Sequence, residues 1–263
     1  MFTVTYAQLN GWLTAFLWPF TRVLALIAVA PIVGHRSVPM RVKIGLGAFI
    51  TLIVAPTLGA MPQTTVFSAE GVWILVNQFM IGIALGFVMQ MVFAVVTAAG
   101  DLMGLGMGLG FASFFDPQAN SSTPALSSWL NMMAMLAFLA FDGHLQMIAA
   151  LMQTFTSVPI SANVLSANGY RLLANWGATV FNAGLLLSLP VVVALLITNL
   201  SLGILNRAAP QIGIFQIGFA ITMLVGMLLI MAMTPNLIPY FARLIDGGLE
   251  QMGRVAAALK PVP

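Results

Sequence analysis

Apolar residues run along this chain in long blocks separated by short polar breaks. A membrane-spanning helix needs roughly 20 mostly apolar residues. Six blocks meet or approach that length: residues 11–34, 44–61, 71–99, 129–158, 172–205 and 212–240. Nothing between them reads as a soluble domain. The pattern predicts an all-α polytopic membrane protein with about six long, partly kinked hydrophobic helices. To these it adds a Gly/Phe-rich central loop and a C-terminal amphipathic helix, all within one membrane domain spanning 1–263.

Local signals refine these blocks. Thr5 with Gln8 has the spacing of a capping box, so the first helix is expected to begin near Tyr6. The first charge is Arg22, with no basic region ahead of the apolar run, so this helix is expected to be retained rather than cleaved as a signal peptide. The fourth block is interrupted by Asp142-Gly143-His144. The fifth is too long for one span and contains Pro190, which predicts a kink or break, and the sixth is expected to end at Pro235 and Pro239. Such breaks at membrane depth are tolerated where protein or a water-filled cavity surrounds them. From about 241 to 260, Phe241, Leu244, Ile245, Leu249, Met252, Ala256 and Leu259 recur at helical spacing, with Arg243, Asp246, Glu250 and Arg254 between them. This predicts an amphipathic helix, either interfacial or docking to a partner, with a favourable Glu250–Arg254 pair.

Composition strengthens the membrane reading. Hydrophobic residues make up 60% of the chain and charged residues only 6%, against about 25% charged in a soluble domain. The net charge is +3, but nine basic residues scattered among apolar segments form no patch for nucleic acid. They read instead as orientation signals. His35, Arg36, Arg41 and Lys43 crowd the first loop and predict that it is cytoplasmic, as Arg207 does for the fifth. Arg243, Arg254 and Lys260 favour a cytoplasmic C-terminus, whereas six spans would put it outside. With no cysteine and two histidines, neither thiol chemistry nor a His-rich metal site is expected, and no cofactor is implied.

The segment with most potential chemistry runs from Gly100 to Pro124. It carries Gly100, Gly104, Gly106, Gly108 and Gly110, then Phe111, Phe114 and Phe115, then Asp116-Pro117 as a turn signal. No Gly-Lys-Ser/Thr follows, so this is not a phosphate loop. Small-xxx-small spacing, also present at Gly82/Gly86, suits close helix packing. The rival reading is a glycine-hinged loop whose Phe and Met side chains plug a pore, with Met103 and Met107 one helical turn apart as a pliable collar. Charges at membrane depth are functional candidates: Arg22, best read as a contact to a neighbouring carbonyl or carboxylate, Asp101 and Asp142. Asp142 with His144 suits a turn at a broken helix or a proton relay. No nucleophile with a base or carboxylate pair emerges, so an enzyme is not expected.

Arg22-Val23-Leu24 with Pro31, Pro39-Met40-Arg41-Val42-Lys43, the 100–117 stretch, Phe141-Asp142-Gly143-His144 and Leu205-Asn206-Arg207-Ala208-Ala209-Pro210-Gln211 follow one another along the chain. In this order they resemble the FliR/SctT family of type III secretion export-apparatus proteins, essentially over the whole chain. The resemblance implies an export-gate subunit at the bacterial inner membrane, within the flagellar basal body. It implies assembly with FliP-like and FliQ-like subunits, association with FlhB-like and FlhA-like proteins, and passage of unfolded protein substrates. The family's pore plug maps onto about 106–122, and Arg22, Arg41, Lys43, Asp142, His144, Arg207 and Pro210 become structural or assembly residues. Asp101 and Gly106 depart from the glutamate and glutamine common in the family, so hydrogen bonds carried by those positions do not transfer. The alternatives are a virulence injectisome homologue and, from another class, a secondary transporter coupling ions through Asp142 and His144.

Overall fold

The structure is a computed structural model, described here for residues 5–59, 61–109, 125–208 and 214–261, without the side chains of residue 7 and of 214–217. Among the described residues it is helical and has no strand. The helices are α1 (Tyr6–Val29), α2 (Met40–Val54), α3 (Ala69–Gly106), α4 (Ala125–Ala140), α5 (Gly143–Ser157), α6 (Ala167–Trp176), α7 (Ala178–Ala208) and α8 (Ile214–Leu259). Five stretches are long and apolar enough to cross a membrane, or six if the broken pair α4 and α5 is one span.

The expected starts and breaks appear where side-chain chemistry demands them. α1 begins at Tyr6, where Gln8 Oε1 accepts the Thr5 N–H at 3.1 Å and so satisfies one of the free amides of the first turn. The chain breaks between α4 and α5 at Asp142, which has φ 55° and whose carbonyl accepts the N–H groups of Leu145 and Gln146. The prolines do not break the helices. α7 continues through Pro190, and α8 continues through Pro235 and Pro239 to Leu259, so the amphipathic tail is the end of α8 rather than a separate helix. A proline removes one backbone donor but does not prevent helix where surrounding groups take up the freed polar atoms. The Thr234 hydroxyl donates to the Ile230 carbonyl at 2.9 Å, the ordinary back-bond of a helical threonine, and not to the Met231 carbonyl that Pro235 leaves free.

The amphipathic pattern of that tail is realised. Phe241, Ile245, Met252, Ala256 and Leu259 are buried, whereas Arg243, Asp246, Glu250 and Arg254 are exposed. Arg254 donates to Glu250 Oε1 at 2.6 Å.

The chain forms two compact units: Met1–Met91 with Asp142–Trp176 and Ile245–Pro263, and Val92–Phe141 with Gly177–Leu244. In the first, α2 packs on α1 through one stripe, Lys43, Gly47, Thr51 and Val54, with Gly47 facing Phe20, Leu24 and Ile27. The glycines at 82 and 86 let α3 approach α1 at near backbone contact: a Cβ at Gly82 would lie 2.6 Å from that of Ala25 and against the Arg22 carbonyl. Lipid is as apolar as leucine, so such close approach is what holds helices together in a membrane. In the second unit, α4 lies antiparallel to α3, through Ser127 on Gly100, Asn131 on Thr97 and Phe138 on Phe93. α7 runs beside α3, with Gly184 near Ala98 and Leu195 near Gly106. α8 returns along α7, where the Tyr240 hydroxyl donates to the Ala183 carbonyl.

Candidate functional site

Two buried centres stand out, one in each unit. In the first unit, Arg22 sits in the apolar middle of α1 with no exposed surface. Its Nε donates to Gln78 Oε1 of α3 at 2.8 Å, one terminal nitrogen to Thr154 Oγ1 of α5 at 3.1 Å, and the other to the Val158 carbonyl at 2.9 Å. The guanidinium lies 4.3 Å from the centroid of the Phe155 ring. These partners are neutral: an amide, a hydroxyl, a carbonyl and an aromatic face disperse the charge. Next to Gln78, Asn77 donates to the Asn163 carbonyl at 2.9 Å. Polar side chains from α1 and α3 thus bind the irregular backbone after α5. Non-helical backbone at membrane depth requires such partners, because lipid offers none.

Lys43 and Arg41 begin α2. Lys43 is buried and its Nζ donates to the Gly34 carbonyl at 2.8 Å, bracing the turn before the helix, whereas Arg41 is exposed. Asp142 is exposed, and its φ of 55° makes it the hinge residue of the α4–α5 break. His144 Nδ1 is buried without a hydrogen-bond partner among the described residues, and no bond joins it to Asp142. Arg207 is exposed in the last turn of α7, and Pro210 lies outside the described residues.

In the second unit the end of α3 forms the other centre. Met103 and Met107 are both buried. The helix stops where Gly108 takes φ 81°, a conformation that a side chain disfavours. The Met107 carbonyl accepts the Thr222 hydroxyl at 3.4 Å, and the Met107 side chain lies against Gly226, where an added Cβ would come within 2.8 Å of its sulfur. Gly106 faces Leu195. Beside this end is an apolar cavity of about 500 Å³, lined by residues that include Met107, Trp129, Met223, Met227 and Met231. Earlier along α3, Asn131 donates to Thr97 Oγ1 at 2.5 Å, and Asp101 Oδ1 is buried without a partner among the described residues. Gly110, Phe111, Phe114, Phe115, Asp116 and Pro117 lie outside the described residues.

Sequence reasoning singled out Arg22 but not its acceptors. Asn77-Gln78 inside the apolar run of α3 was a usable signal, whereas the Val158 carbonyl left no trace in the pattern. The Thr222 contact to Met107 and the contribution of Trp129 were likewise not foreseen.

Residues 13–248 match a family described as bacterial export proteins, family 1. The chain is 47% identical over 242 residues to the flagellar biosynthetic protein FliR of Pectobacterium carotovorum subsp. carotovorum, covering 92% of each protein. It is 47% identical over 246 residues to that of Escherichia coli K12, covering 94% of each. To that of Buchnera aphidicola subsp. Acyrthosiphon pisum it is 35% identical over 246 residues, 94% of this chain and 95% of the relative.

Proposed function

The chain belongs to the bacterial export proteins, family 1, and on that premise we propose that it is a core subunit of the flagellar export gate, lining the pore through which unfolded substrates leave the cell. At the coarser level it is a membrane component of the flagellar export apparatus. The finer reading places it at the inner membrane in the basal body, assembled with FliP-like and FliQ-like subunits and meeting FlhB-like and FlhA-like proteins. Its role there is to shape and seal a conduit rather than to catalyse a reaction. The similar proteins named above are flagellar, which favours this system over an injectisome.

The observation that carries the reading is a mismatch between apolarity and burial. α3 and α8 have 38 and 46 residues, about 57 and 69 Å at 1.5 Å per residue, longer than a bilayer of roughly 40–45 Å with its headgroups. Yet only 17% of the most apolar window of α8 is buried in the chain, against 61% for α3. A helix that outruns the bilayer and still leaves most of its apolar window uncovered is suited to cover by neighbouring subunits. The methionines 223, 227 and 231 on its exposed face add a surface that can re-pack against different partners.

Native mass spectrometry of a mild detergent extract tests this. The expected outcome is recovery of the chain with FliP-like and FliQ-like subunits. A stable, monodisperse monomer or homodimer carrying no other subunit would rule it out. Within the gate, the 106–122 segment is assigned the sealing role, on the strength of its glycines and of Phe111, Phe114 and Phe115.

A further inference from the structure

We propose that the corner between α1 and α2 binds an anionic phospholipid, with the phosphate on Arg36 and Arg41 and an acyl chain along the outer face of α2. The charge balance is the first reason. No carboxylate precedes Glu70, and four basic residues do: Arg22, Arg36, Arg41 and Lys43. Arg22 and Lys43 are buried and bonded inside the unit. Arg36 and Arg41 are exposed and make no ion pair among the described residues. The turn carrying Arg36 is held in shape by the His35 Nδ1 contact with the Ser37 hydroxyl at 2.9 Å, the Val38 N–H bond to the His35 carbonyl at 3.1 Å and the Lys43 brace on Gly34. Two exposed guanidiniums five residues apart at a hydrogen-bonded corner suit contact to a phosphodiester.

The second reason is the surface below them. α2 spends only the Lys43, Gly47, Thr51 and Val54 stripe on α1. On its outer side Arg41, Gly45, Phe49 and Leu52 follow one another at helical spacing, with Phe49 and Leu52 exposed. A Cβ added at Gly45 would meet nothing within 4 Å, so the face is open directly after the cation. Arg41 to Leu52 is 11 residues, about 16 Å along the helix, which matches one leaflet of a hydrocarbon core roughly 30 Å thick. Charge at one end and apolar surface for one leaflet is the layout of a phospholipid. A partner helix would be expected to bring carboxylates for the two arginines but has no need of a single-leaflet length. The inference requires only that the chain sits in a membrane, and its test counts bound lipid rather than export or subunits, so its failure is distinguishable from failure of the export reading.

The test uses the assembled complex in nanodiscs of phosphatidylglycerol and phosphatidylcholine in equal amounts, with native mass spectrometry counting the lipids retained. Phosphatidylglycerol is expected to be retained over phosphatidylcholine. The double variant Arg36→Gln/Arg41→Gln should bind it roughly thirtyfold more weakly, the loss expected for two surface cations. Phe49→Asn/Leu52→Asn, which keeps both cations and makes the exposed apolar face polar, should also release it. Both variants change exposed positions, so the thermal midpoint of the complex in lipid-free detergent should not move. Unchanged phosphatidylglycerol retention in the arginine double variant overturns the site. A photo-crosslinker at position 49 that captures a protein subunit instead of lipid overturns it too, and would assign the face to a protein partner.

Discussion

Around Arg22, in the first unit, every contact is directional: three hydrogen bonds, one to α3 and two to the end of α5, and an aromatic ring beneath the guanidinium. Around Met107, in the second unit, contacts are soft. A flexible thioether rests on a glycine, a long 3.4 Å hydroxyl bond meets its carbonyl, and an apolar cavity lies alongside. Both residues are buried, so burial alone does not distinguish them. The first centre has one good arrangement and fixes the packing of α1, α3 and α5. The second is held by weaker, less directional contacts, which suits the gate role proposed above.

The difference can be broken most forcibly at Arg22. Arg22→Met leaves the Gln78 and Val158 oxygens buried without a donor, at roughly 1–3 kcal/mol each, for a loss of about 4 kcal/mol. The complex should be recovered at much lower yield, with a clearly lower thermal midpoint. Arg22→Lys should recover part of that loss, because an ammonium keeps the charge but cannot reach three acceptors in a fixed plane. A normal yield and midpoint for Arg22→Met would show that the centre is not what fixes the first unit.

Glycine substitutions sharpen the contrast at intermediate size. At Gly82 a new Cβ meets backbone, the Arg22 carbonyl and the Leu26 nitrogen, as well as Ala25 Cβ, and backbone cannot step aside. Gly82→Ala should therefore cost about 2–3 kcal/mol, as overpacking does. At Gly226 the atoms nearest a new Cβ are the γ-carbon, sulfur and methyl of the Met107 side chain. Gly226→Ala should change stability by under about 1 kcal/mol, since a rotamer change relieves the contact and alanine favours the helix. Thermal midpoints of the two variants in the complex check this, and equal losses would remove the distinction between a rigid and a pliable centre. Smallest of all, Met107→Leu conserves volume and should cost under about 1.5 kcal/mol, but it should stiffen the end of α3 and slow export more than it lowers the midpoint.

Much of the architecture was legible because it is local. The Thr5/Gln8 start, the Asp142 break and the alternating faces of the 241–260 tail all depend on neighbours within a turn of helix. Helix continuity through Pro190, Pro235 and Pro239 was not legible, because whether a freed carbonyl finds a partner is decided by tertiary contacts. Nor did apolarity reveal burial: the most apolar window of α3 is mostly enclosed and that of α8 mostly exposed. Lipid, partner helices and the chain's own core are equally apolar, so hydropathy cannot say which of them covers a residue. At the candidate sites, Arg22 was visible as a charge out of place and Met103 with Met107 as a spaced pair. Their partners at Val158, Thr222 and Gly226 come from distant parts of the chain and carry no signal of their own.

The sealing role of the segment after the pliable centre is tested most directly by deleting residues 110–122. Conductance or small-solute uptake is measured in cells expressing the deletion, alongside a pull-down of FliP-like and FliQ-like subunits. If the segment seals a pore, the complex assembles normally and ions leak across the inner membrane. Normal assembly without added leak contradicts the sealing role, and loss of assembly shows instead that the segment and its glycines serve helix packing.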